Sequence, residues 1–394
     1  MLTEITTNEQ LSSLETLSID ASSKVAKEIN WAEYGDKLQR VHISNLNEVE
    51  IINAPDNASI IIDGSNRILP CLRLHNAQPN SNLYLNIRGG ENPEQYYSII
   101  TWNTSNININ FKPGTNSEET VNVSVYGPDI IDKLVLTGGS PSMKVQTWLK
   151  EESHFPAVVD ASLLEAEMIV EIGEGKHTIF GSLTSSNVFY SEGKHVVFKG
   201  GAAEDEFSLM QGSIAEMEGH YQGSHEKNTY IISIEYAPQN EFPSIIYDFN
   251  PGTATSSVDQ IKFSSLFQTF ISSGGDYAVH VGPHLHSISN LPNFSPGETI
   301  FQALAKLSPN ITILLYTEEK TSYKALENKF GLDVLTSLGV SQWNNMFVAM
   351  PVLYIDAKDG YVHIAKVNYE IEDMLILAGV TSFDDIDASD FAFT

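Results

Sequence analysis

The chain has 394 residues, with 50 acidic against 22 basic side chains and a formal net charge of -28. Such an excess of negative charge argues against nucleic acid or an anionic membrane as partner, and fits solubility at high ionic strength or a divalent cation as partner. The single cysteine, Cys71, lies in the apolar run ILPCLRL, so it forms no internal disulfide and reads as a small buried hydrophobe.

Residues 1 to about 38 are polar, with helical periodicity in EQLSSLETL and SKVAKEINWAEY. The start of the chain lacks a basic region followed by an apolar core, so no cleavable secretory signal is expected. No apolar run reaches the roughly 18 residues of a membrane-spanning helix.

From about 39 to 250 the texture changes. Short apolar runs alternate with Asn, Gly, Ser and Asp, as in VEIINAP, ASIIIDGSN, NLYLNIRGG, NININFKPG, KLVLTGG and KHVVFKGG. Each is of strand length, rich in β-branched residues and closed by turn residues. NININF alternates strictly, placing Ile and Phe on one side and Asn on the other. No amphipathic helices separate these runs, which excludes crossover α/β units. A parallel β-helix or solenoid is the expected fold, because Asn, Gly and Thr recur where its corners need tight or left-handed backbone. A β-sandwich is the alternative.

From about 251 to 394 the pattern predicts a small α+β domain. SSLFQTFISSGG, ETIFQALAKLS and KTSYKALENKFGLDVLTSLG have helical spacing. NMFVAMPVLYID and GYVHIAKVNY read as two strands of a hairpin joined by Ala357-Lys358-Asp359-Gly360.

Four segments carry candidate chemistry. Gly200 to Ser208, GGAAEDEFS, matches the calcium nonapeptide G-G-x-G-x-D-x-U-x at Gly200, Gly201, Asp205 and Phe207, with Ala203 at the third glycine position. Glycines there are expected to take positive φ and turn carbonyls inward, while the Asp supplies a hard oxygen for Ca²⁺. One copy makes half a site, and the competing reading is a plain turn between strands. Asp356 and Asp359, beside Gly360, form a second candidate calcium loop, against a polar hairpin tip. His280, His284 and His286 in HVGPHLHS are candidate ligands for a transition metal, with His284 and His286 on one face of an extended segment. Trp102, Tyr190 and Tyr221 are candidates for lining a sugar groove, against ordinary packing.

Several enzyme classes are not signalled. His225-Glu226 is not followed by the second histidine of H-E-x-x-H, and G-x-S-x-G, Walker and dinucleotide fingerprints are missing from the sequence.

Residues 158 to 209 run VVDASLLEAEMIVEIGEGKHTIFGSLTSSNVFYSEGKHVVFKGGAAEDEFSL, and IIYDFNPGTATSSVDQIKFSSL follows at 245 to 266. The end of the chain, 353 to 394, has LAGVTSFDDIDASDF after a DAKDG turn. In this order the segments resemble bacterial RTX (repeats-in-toxin) surface proteins, including S-layer proteins and adhesins exported by type I secretion. The matching positions are Ile246, Asp248, Phe249, Gly252, Asp259 and Ile261, then Leu377, Gly379, Val380, Thr381, Ile386, Ser389, Asp390 and Phe391. A run of nonapeptides, on which calcium-triggered folding in that family depends, is missing.

The resemblance implies an extracellular or cell-surface protein without an N-terminal signal, read by the type I machinery at its acidic C-terminus. Its function would be structural or adhesive rather than catalytic, its partners copies of itself or a cell-surface glycan, and its cofactor Ca²⁺. The alternative function is an extracellular polysaccharide-degrading enzyme on a β-helix.

Overall fold

The structure, a computed structural model, describes residues 14–263 with breaks at 23–25, 65–69, 90–93, 115–117, 127–130, 150–157, 173–176, 192–195, 210–213, 218–226, 233–242, 248 and 252–258. Beyond 263 it describes 285–287, 313–315, 320–321, 350–367, 371–386 and 390–393. The chain divides into two compact units, residues 1–205 with 218–221, and residues 206–217 with 222–394.

The first unit is a parallel β-solenoid. In chain order its strands are β1 (Thr16–Asp20), β2 (Lys27–Asn30), β3 (Arg40–Ser44), β4 (Glu48–Ala54), β5 (Ala58–Asp63), β6 (Cys71–Asn76), β7 (Ser81–Arg88), β8 (Glu94–Trp102), β9 (Thr104–Lys112), β10 (Glu119–Tyr126), β11 (Lys133–Gly138), β12 (Met143–Leu149), β13 (Val158–Leu164), β14 (Glu167–Ile172), β15 (Thr178–Phe180), β16 (Asn187–Ser191) and β17 (Val197–Gly200). Odd strands pair in parallel to form a first sheet and even strands form a second. Each turn of the coil therefore contributes one strand to each sheet. Among the described residues the first strand of the stack starts at Thr16, inside the segment expected to be polar and partly helical, and the only helical element described there is the short 3-10 turn Trp31–Tyr34.

Alternation builds the core. Along one interior column Val41 pairs with Ile60, Ile60 with Leu85, Leu85 with Ile109, and Ile109 with Leu136. All five are at most 1% exposed. Each strand has one face buried between the sheets, so a one-residue slip would drive Asn and Ser inward and register is strongly fixed. Burying a Leu or Ile in this way stabilises by about 1.5–3 kcal/mol.

The corners are made by asparagine. All five non-glycine residues with positive φ among the described residues are Asn: Asn45, Asn53, Asn57, Asn80 and Asn103. Asn tolerates this backbone better than other L-residues because its short amide bonds locally. Here the amides also tie successive turns together. Asn45 Nδ2 donates to Asp20 Oδ1 (3.3 Å), Asn53 Nδ2 to Asn30 Oδ1 (3.0 Å) and Asn103 Nδ2 to the Asn76 carbonyl (3.0 Å).

The second unit is also rich in parallel pairs. Its strands are β18 (Asp205–Leu209), which opens with the last residue of the first unit, β19 (Ile214–Met217), β20 (Thr229–Ile232), β21 (Ser244–Tyr247), β22 (Gln260–Phe263), β23 (Leu285–Ser287), β24 (Ile313–Leu315), β25 (Met350–Ile355), β26 (Val362–Val367), β27 (Ile371–Ala378) and β28 (Phe391–Phe393). β18, β20, β22 and β28 stack in parallel, as do β19, β21 and β27. Aromatic rings fill this interior: Phe207 stacks on Tyr230 at 5.2 Å and Phe263 on Phe391 at 6.2 Å. The expected hairpin is present, with β25 and β26 antiparallel from Met350↔Val367 to Ile355↔Val362. The three expected helices lie almost wholly outside the described residues. No helix among the described residues is long and apolar enough to cross a membrane.

Candidate functional site

The loop at 200–205 is closed by its own amides. Asp205 is 1% exposed. Its Oδ1 accepts from the Asn187 backbone N–H (2.8 Å) and from Asn187 Nδ2 (2.7 Å), and its Oδ2 from the Gly201 N–H (2.9 Å). Ca²⁺ takes six to eight oxygen ligands, whereas the neighbours of this carboxylate present N–H groups. These three N–H donors make Asp205 a carboxylate that staples one turn to the next. Gly200 and Gly201 do not take positive φ. Gly201 is required for another reason: a Cβ there would lie 2.1 Å from the Ser182 carbonyl oxygen. Ala203 is half-buried in the bend before β18.

The same device recurs in the second unit. Asp259, 2% exposed, accepts from the Asn228 N–H at Oδ1 (2.9 Å) and the Asn250 N–H at Oδ2 (3.0 Å). Burial pushes its carboxyl up to about 6, against the pull of those amides. The Asp205 and Asp259 positions that resemble RTX segments thus act as buried acceptors between turns.

At the β25–β26 hairpin, Asp356 and Asp359 are three residues apart and each closes a local turn. Asp356 Oδ1 accepts from the Lys358 N–H (2.7 Å) and Asp359 Oδ1 from the Tyr361 N–H (2.9 Å), while Gly360 takes φ 79. The other Asp359 oxygen is 3.0 Å from His363 Nε2, and His363 Nδ1 is 2.7 Å from Asp373 Oδ2. Burial lowers the His363 pKa, but the Asp373 and Asp359 carboxylates outweigh it and the net shift is upward. This Asp-His-Asp chain locks the hairpin to β27. His280 and His284 lie outside the described residues, and His286 belongs to β23. Among the described residues no group of three or more His, Cys, Asp or Glu is placed to hold a metal ion.

The outward face of the second sheet carries paired aromatic planes. His75 and Trp102 are register partners on β6 and β8, with ring centroids 4.0 Å apart and planes within 7°. Tyr96 on β8 and Trp148 on β12 are 6.0 Å apart and within 1° of parallel. β8 and β12 both flank β10, about 9.6 Å apart at ordinary strand spacing, so these rings lean toward each other across β10. Asn122 of β10, in register with Tyr96, is only 1% exposed although it lies on the outward parity. Nearby carboxylates are engaged: Glu50 Oε1 lies 2.9 Å from His75 Nε2, Glu48 pairs with Arg73, and Glu94 accepts from the Tyr96 hydroxyl. Tyr190 on β16 is 41% exposed, and Tyr221 lies outside the described residues.

Of the sequence-level aromatics, Trp102 and Tyr190 are on this face. Tyr96 and Trp148 were not singled out from the sequence; strand parity is the signal that places them outward, and nothing local signals their pairing across three strands. No known protein family, curated protein or solved structure matches the chain.

Proposed function

We propose that the chain is a secreted or cell-surface structural or adhesive protein of the RTX kind, which engages a glycan through the outward aromatic face of its second sheet. The observation that carries this reading is the parallel Tyr96–Trp148 ring pair on the same sheet face as the His75–Trp102 stack, about 20 Å along β8 from it. Flat, half-buried rings with polar neighbours offer the apolar surface and directed hydrogen bonds by which amphipathic ligands such as sugars are held. Glycoside hydrolysis instead needs two carboxylates flanking the bond with separate acid and base roles. Of the acids beside these rings, Glu50, Glu48 and Glu94 are committed to His75, Arg73 and Tyr96, which favours binding over cleavage; Glu171 is the register partner of Trp148.

Calcium enters the proposal as a counter-ion of the acidic surface rather than as a ligand of Asp205. A net charge of -28 repels itself at low ionic strength. Divalent cations outside the cell would relieve that repulsion and favour folding or self-assembly. Light scattering and thermal unfolding in EDTA and in millimolar Ca²⁺ test this part: growth in particle size with a rise in Tm is expected, and identical behaviour would remove calcium and assembly together. Binding to a glycan array tests the adhesive part, with Trp148→Ala and Trp102→Ala each expected to lose about tenfold or more. Absence of glycan binding, or binding indifferent to both substitutions, would overturn it.

A further inference from the structure

On the outward face of the first sheet a cavity of about 310 Å³ gathers side chains from four turns, three of which contribute cations. Arg40 and His42 come from β3, Asp63 from β5, Asn86 and Arg88 from β7, and Lys112 from β9. Register explains the convergence. Asp63 pairs with Arg88 and Arg88 with Lys112, while His42, Ile61 and Asn86 form the neighbouring row. Four adjacent strands span about 14 Å.

The charge in this cavity runs against the rest of the chain. Arg40, Arg88 and Lys112 face a single lining carboxylate, Asp63. Asp63 Oδ2 is 2.6 Å from His42 Nε2, and its Oδ1 is 3.5 Å from Arg88, beyond the length of a strong charge-assisted bond. Arg40 and Lys112 pair with no carboxylate among the described residues. Elsewhere on the solenoid three cations each find a carboxylate one turn away: Arg73 pairs with Glu48, Lys133 with Asp160 and Lys144 with Glu167. In a chain with more than two acids per base, a concavity whose described lining sets three cations against one carboxylate suits an anion from outside.

We propose that this cavity binds a tetrahedral oxyanion, a phosphate or sulfate group, carried on a saccharide or free. The guanidinium forks of Arg40 and Arg88 match such an oxyanion bidentately, and Lys112 adds a point charge. The Asn86 amide and the His42–Asp63 pair stand beside them as partners for hydroxyl groups of a carrier. The volume is at the lower end of small-molecule sites, enough for one esterified sugar. The site rests on a different sheet and different residues from the aromatic face, so either can fail without the other.

The test is isothermal titration of the full chain at low ionic strength with glucose 6-phosphate, glucose 6-sulfate, inorganic phosphate and glucose. Saturable binding of an oxyanion-bearing probe, weakened by added salt, is expected. Arg40→Gln and Lys112→Gln should each weaken it about tenfold or more, the loss of one charge-assisted contact. Lys112→Arg should retain it, and Lys144→Gln, on the other sheet, should leave it unchanged. Esters binding more tightly than inorganic phosphate would identify a carried group, and equal binding a free ion; both support the site. Glucose binding as well as its esters, no binding at millimolar concentration, or full binding by Arg40→Gln and Lys112→Gln variants with wild-type urea midpoints would overturn it.

Discussion

Removing the Asp205 carboxylate separates a loop stapled by amides from a loop that holds calcium. Asp205→Ala would leave the Asn187 and Gly201 backbone N–H groups and the Asn187 side-chain amide without their carboxylate acceptor. Asn187 is 0% and Asp205 1% exposed, so water does not readily replace the lost oxygens. Each orphaned buried donor costs about 1–3 kcal/mol, and two backbone amides plus one side-chain amide bring the loss to about 4 kcal/mol. Asp205→Asn keeps one acceptor oxygen but turns an NH₂ toward a donor, and should lose about half as much. Urea unfolding monitored by circular dichroism reads the effect as a midpoint shift of more than about 1 M at ordinary m-values. Because amides do the work, the loss should be the same in EDTA and in millimolar Ca²⁺. A loss below about 1 kcal/mol, or one that appears only with Ca²⁺, would refute the stapling role.

Asp259 should make stability fall as pH rises from about 4 to about 6. Its folded pKa of about 6 exceeds the ordinary 3.8, so the native chain holds a proton that the unfolded chain has released within that window. The integrated effect is about 3 kcal/mol. It is read from urea midpoints at pH 4.5 and 6.5, and Asp259→Asn should flatten the slope; an unchanged slope in that variant would assign it elsewhere. Asn57 takes φ 64 at a corner, so Asn57→Ala should cost about 1 kcal/mol while Asn57→Gly stays near wild type. Equal losses would show that its side chain, not its backbone, is what matters. Gly201→Ala should lower stability by about 1–3 kcal/mol, because its Cβ would overlap the Ser182 carbonyl; an unchanged Tm would contradict the packing described there.

The solenoid was legible because its physics is local. NININF sets Ile107, Ile109 and Phe111 inward, each at most 1% exposed, and a period of two can be read from six residues. The corner asparagines were legible for the same reason. The first turn was not: β1 buries only Leu17 and Ile19 between exposed polar residues, and so short a signal lies inside a segment that also has helical spacing.

The glycine loop shows a further limit. Its residue types fit both a cation site and a hydrogen-bonded turn, and only the direction of the Asn187 and Gly201 N–H groups separates them. The cationic cavity left no trace in sequence. Arg40, Asp63, Arg88 and Lys112 are brought together by register across four turns, and no local window contains more than two of its residues.

The most direct test of the adhesive account is to incubate the purified chain with a panel of acidic and neutral polysaccharides, measuring retention on each and the release of new chain ends in the same sample. Retention of at least one polysaccharide without new ends, lost in the Trp148→Ala variant, is the predicted result. New chain ends accumulating with time, or no retention on any polysaccharide, would contradict it.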